Sequence, residues 1–159
     1  MKRLTICLAA TAALALPAGA GAAEQFYGGK INKGGAIGVD VTTVNGKPFT
    51  VDAMRYKNFP AKCNGNPSLI GATWTFTNVF VENNRVNVNG SSGGSQILFK
   101  GRFRKQNRKL VGEIKEGPSE FEPGVTCTSP KRDYSAKRGD NGPHPQPKAK
   151  IHRAFRVVG

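Results

Sequence analysis

The chain has 159 residues, with 24 Lys and Arg against 10 Asp and Glu, a net charge of +14 and a pI near 10.2. That length holds one domain with its own core, and the cation excess points to polyanionic partners. Two histidines and three cysteines leave metal and Cys–His chemistry few residues to draw on.

Met1-Lys2-Arg3 precedes an apolar run from Leu4 to Leu16, Pro17 breaks it, and Ala18 to Ala23 supplies small residues at several cleavage registers. A positive start, a short apolar middle and an A-x-A end predict a secretory signal peptide over residues 1–23. A membrane anchor is the competing reading, and the Ala, Gly and Pro content favours cleavage. The mature chain then starts near Ala22, Ala23 or Glu24, and no later segment is apolar enough to span a membrane. Loss of Lys2 and Arg3 leaves 22 Lys and Arg against 10 Asp and Glu, a net charge of +12. Cys63 and Cys127 are then the remaining thiols, 64 residues apart, and in an exported chain such a pair predicts one disulfide.

Phe26-Tyr27 reads as a short strand ending in a Gly28-Gly29 turn. Ile37, Val39 and Val41 alternate with Gly38, Asp40 and Thr42, which is the period of a half-buried strand. Asn45-Gly46 is a hairpin turn because both residues tolerate positive φ, and Phe49, Val51 and Ala53 return against Thr50, Asp52 and Met54. Lys57 to Ser68, with Pro60, Asn64-Gly65 and Pro67, has loop composition. Trp74 and Phe76 share the buried face of the next strand, which Val79 to Val81 continues or restarts. Val86 to Val88 leads into the Gly/Ser-rich loop Asn89 to Ser95.

The strongest pattern follows. Ile97, Phe99, Gly101 and Phe103 fall on one face and Leu98, Lys100, Arg102 and Arg104 on the other. After the polar segment Lys105 to Lys109, Leu110, Gly112 and Ile114 alternate with Val111, Glu113 and Lys115. Such a hairpin buries one face and shows water the other. Glu116 to Thr126 reads as a loop and Asp133 to Lys137 as a last edge strand. The whole is an all-β fold over residues 24–138, an antiparallel β-sandwich or small β-barrel with one disulfide. Residues 139–159 form a Pro-rich basic tail.

The order Phe26-Tyr27-Gly28, the hairpin Ile37 to Met54, Cys63, Phe99-x-Gly101-x-Phe103 with Leu110-x-Gly112, Cys127 and Tyr134-Ser135-Ala136 resembles small secreted β-domain proteins of actinobacteria. The resemblance spans about residues 26 to 138, with Tyr134 where that pattern has Trp, and implies fold and export but no known activity.

Sites follow from residue type and placement. Glu113, Glu116, Glu120 and Glu122 are the carboxylates from which a glycoside hydrolase would need a facing pair, and they read better as solvated charges. His144 and His152 lie in the Pro-rich tail, a poor place for a preorganised base or, with Asp140, for a metal. The expectation is therefore no enzyme, no cofactor and no metal. Polyanion binding is the sharper reading: Lys100, Arg102 and Arg104 stand along one strand face, Lys105, Arg108 and Lys109 crowd the adjoining turn, and Lys148, Lys150, Arg153 and Arg156 lie in the tail. The bland reading is a solvated face whose edge is protected by charge. Trp74, Phe76, Phe99 and Phe103 follow the buried phase and read as core, so the sequence puts no aromatic on the basic face. The sequence thus predicts a secreted, non-catalytic β domain that meets anionic wall polymer or polysaccharide, and nucleic acid only non-specifically. Its alternatives are a structural domain without a dedicated ligand and a hydrolase using the loop carboxylates.

Overall fold

The computed structural model describes residues 21–139. The predicted signal peptide, apart from its last residues, and the tail after Gly139, including His144, His152, Lys148, Lys150, Arg153 and Arg156, lie outside the described residues.

Ten strands make one antiparallel sheet: β1 (Ala22–Ile31), β2 (Ala36–Val44), β3 (Lys47–Cys63), β4 (Asn66–Thr75), β5 (Arg85–Ser92), β6 (Ser95–Arg104), β7 (Lys109–Glu116), β8 (Ser119–Glu122), β9 (Val125–Thr128) and β10 (Arg132–Arg138). Their spatial order is β5-β6-β7-β10-β1-β2-β3-β9-β8, with β4 paired to β3, and the sheet is not closed into a barrel. It is folded over one core. Phe76, just past β4, stacks on Phe99 of β6 at 6.2 Å, and Phe99 stacks on Tyr134 of β10 at 5.5 Å. These aromatic contacts tie the β3–β4 limb to the β6–β10 limb.

Alternation accounts for most of this core. Ile37, Val39 and Val41 are fully buried, as are Phe99, Leu110 and Ile114. The Phe-x-Gly-x-Phe and Leu-x-Gly spacing also gains a reason. Gly101 and Gly112 face each other across β6 and β7, and a Cβ on Gly112 would lie 1.8 Å from the Lys100 carbonyl oxygen. The space beside this pair admits the Tyr134 hydroxyl, which donates to that carbonyl at 3.0 Å.

Asn45-Gly46 turns β2 into β3 with φ of 53° and 70°, as its residues predict. Elsewhere the sequence reading needs correction. Gly28 and Gly29 are strand interior, because β2 and β10 pair with them from both sides. Lys57 to Ser68 is not a loop: β3 runs through Pro60 to Cys63, Asn64-Gly65 makes a second turn of the same kind, and β4 returns. The prolines fit because Pro67 lies on β4, whose neighbour among the described residues is β3 alone, and Pro60 lies on β3 between Lys57, where pairing with β2 ends, and Lys62, where pairing with β9 begins. Register shifts at Phe49 and Asp52 leave Phe49 exposed and turn Met54 and Tyr56 inward, so Met54 is core and not solvent face, while Arg55 lies between them on the other face, paired with Asp40. Gly93-Gly94 is only a tight turn between β5 and β6, and the span from Glu116 to Thr126 holds the end of β7, β8 and the start of β9. The segment from Val79 to Val81 forms one isolated bridge, Thr50 to Phe80, and no strand. The strand β10 is central, between β7 and β1, where the sequence suggested an edge.

The disulfide forms between Cys63 of β3 and Cys127 of β9, which are direct register partners. Closing a 64-residue separation contributes roughly 4 kcal/mol through the entropy of the unfolded chain.

Candidate polyanion-binding face

Lys100, Arg102 and Arg104 all point outward from β6, as the alternation requires. Neighbouring strands, about 4.8 Å away, extend the ladder into rows that the sequence did not reveal. In one row Arg102 faces Arg85 of β5 on one side and Val111 of β7 on the other. In the next, Arg104 faces Lys109, which faces Lys137 of β10. At the other end Lys100 faces Glu113, which faces Asp133, so the inner row is partly neutralised. Glu113 is held by Lys131 at 3.2 Å. Among the described residues the ion pairs are this one and Arg55–Asp40, so the outer two rows carry cations without carboxylate partners.

The turn from Lys105 to Arg108 is tied down. Lys105, Gln106 and Asn107 all hold left-handed φ, 51°, 54° and 64°, an uncommon run for residues other than glycine. Tyr27 of β1 donates its hydroxyl to the Asn107 carbonyl at 2.6 Å, and the Arg138 amide of β10 donates to the Arg108 carbonyl at 3.0 Å. Lys105 and Arg108 therefore project from a fixed tip, while Lys109 is half-buried at its base.

A shallow groove of about 530 Å³ runs over this face past Arg85, Asn87, Lys100, Arg102, Glu113 and Asp133. A second, of about 700 Å³, adjoins it through Arg85, Asn87 and Arg102 and is bounded by Phe80, Glu82 and Asn83. Phe80 is half exposed, so the basic face does have an aromatic ring at its border, contrary to the sequence reading. The ring arrives from a segment whose strand identity was ambiguous, and no local pattern marked it.

The four candidate carboxylates are not brought together. Glu113 points outward into its ion pair. Glu120 is exposed and accepts the Gly124 amide at 3.0 Å, bracing the β8–β9 turn, and Glu122 is exposed. Glu116 is different: it is 1% exposed, and the reading of it as a solvated charge is wrong. Continuing the inward phase Leu110, Gly112, Ile114 by one step puts it inside. Tyr56 and Ser119 donate their hydroxyls to its two carboxylate oxygens, each at 2.6 Å. Its amide donates to Ser129 Oγ at 2.7 Å. Burial pushes the Glu116 carboxyl up to about 7, against the lowering effect of hydrogen bonds from Ser119, Tyr56 and Trp74. This knot joins the interior of β3 to the end of β7, the start of β8 and the segment after β9, and nearly all of it is closed to solvent.

The described residues hold no cluster of His, Cys, Asp and Glu suited to a metal ion. Comparison with protein-family models, with characterised proteins and with solved structures finds no match to this chain.

Proposed function

We propose that this is a secreted, non-catalytic binding domain that holds anionic polymers of the cell envelope or extracellular space on the outer face of β5, β6, β7 and β10. The observation that carries the reading is the pair of rows Arg85–Arg102 and Arg104–Lys109–Lys137, where like charges stand directly opposite one another without carboxylate partners among the described residues. Such juxtaposition disfavours folding, and a bound polyanion relieves it. The cations sit on paired strands and a tied-down tip, so little of their backbone order has to be created on binding. The disulfide suits an oxidising compartment, in keeping with export.

The test is retention on heparin and on isolated wall material across a salt series. Binding should weaken steeply with salt, and the combined change Lys100→Ser, Arg102→Ser and Arg104→Ser should weaken it by roughly tenfold or more at low salt and flatten the salt dependence. Retention that ignores both salt and the triple change would leave a solvated structural domain as the better reading.

A further inference from the structure

Phe80 and Phe49 are the exposed aromatic rings among the large exposed side chains described, and they meet edge to face at 5.4 Å and 71°. Each keeps about half of its surface in solvent, with 50% of Phe80 and 47% of Phe49 exposed. The segment carrying Phe80 is fastened to β3: the Val51 amide donates to the Val79 carbonyl at 2.9 Å and the Val81 amide to the Phe49 carbonyl at 2.8 Å. A fixed apolar ring therefore borders a groove whose other walls are Glu82, Asn83, Arg85, Asn87 and Arg102. Its volume of about 700 Å³ lies in the range of small-ligand sites.

Building on the polyanion reading, we infer that this groove takes one ring of an acidic polysaccharide, with Phe80 under the apolar face of the sugar and Arg85 and Arg102 on its carboxylate or sulfate. The mixed charge of the walls selects this occupant. Glu82 stands in the same groove, and Glu113 and Asp133 stand in the adjoining one. A polyphosphate chain brings charge without hydroxyl donors against those carboxylates. An acidic polysaccharide carries its charge on rings that also bear hydroxyls, and those hydroxyls donate to Glu82 and exchange hydrogen bonds with the Asn83 and Asn87 amides. Single-stranded nucleic acid is gripped by successive aromatic platforms along a positive groove, whereas here one aromatic pair stands at one end of the basic face.

The experiment compares affinities of the purified protein for polygalacturonate, which has a carboxylate on every ring, for inorganic polyphosphate, which has charge and no rings, and for poly(dT). Phe80→Ala should weaken polygalacturonate binding about 3- to 10-fold and leave polyphosphate binding within about twofold, since the loss is that of one aromatic contact. Phe80→Trp should restore or exceed the original affinity, which also separates a lost stacking face from a misfolded variant. Arg85→Ser with Arg102→Ser should weaken both polymers. If Phe80→Ala leaves polygalacturonate binding unchanged, or weakens it no more than polyphosphate, the sugar site is overturned while the cationic face stands. A larger loss for poly(dT) than for polygalacturonate overturns it in favour of base stacking. Failure to bind any of the three polymers overturns both readings.

Discussion

Glu113 and Glu116 stand on the same strand and belong to two different parts of the molecule. Glu113 lies on the outer face, facing Lys100 and paired with Lys131 in a setting half open to water. Glu116 lies at the buried end of β7, where two hydroxyls donate to its carboxylate and desolvation lifts its pKa to about 7. Charge on the outer face stays in contact with water and is available to a ligand. The buried carboxyl is committed to the fold, because every group that satisfies it comes from a different segment. Polar residues are thus used in two ways, as an open face for recognition and as a closed joint for assembly.

The contrast is sharpest under mutation. Glu116→Ala should destabilise the fold by about 3–5 kcal/mol, because it opens a cavity and strands the Tyr56 and Ser119 hydroxyls. Denaturant unfolding reads this directly, and a loss below about 1 kcal/mol would mean the joint is dispensable.

Protonation gives the next largest effect. The native pKa of Glu116 is raised from an ordinary 4.5 to about 7, so between these values the native state holds a proton that the unfolded chain releases. The resulting stabilisation is fully present below pH 4.5 and is lost as pH rises through about 7. Its size is on the order of 3 kcal/mol. Unfolding free energies measured from pH 4 to 8 should show that decline, and Glu116→Gln should flatten it. A Gln variant with an unchanged slope would place the titration elsewhere.

On the outer face, Lys131→Ala removes a pair in which Lys131 is mostly exposed. It should change stability by less than about 0.5 kcal/mol and leave the pH profile unaltered. A loss comparable to that at Glu116 would erase the distinction between the two regions.

How much of this was written locally is visible in particular residues. The alternation Ile97-Phe99-Phe103 and Leu110-Ile114 suffices for two strands and their buried face, since side-chain period is a property of the strand itself. Asn45-Gly46 suffices for its turn because φ preference is local, and the two cysteines outside the segment read as a signal peptide leave one partner for each. Asn64-Gly65 carried the same turn signal, but Pro60 and Pro67 obscured it; they fit only because of where β3 and β4 lie.

Tertiary structure decided the rest. Whether β10 is an edge or a centre depends on β1 arriving from more than a hundred residues away, and the rows of cations exist only once β5, β6, β7 and β10 are in register. Glu116 became a buried joint because Tyr56, Ser119 and Ser129 converge on it, and Phe80 reached the basic face because β3 held its segment there. Period and φ preference act over a few residues and are legible in sequence, whereas burial of a charge and the lining of a groove depend on which distant strands become neighbours.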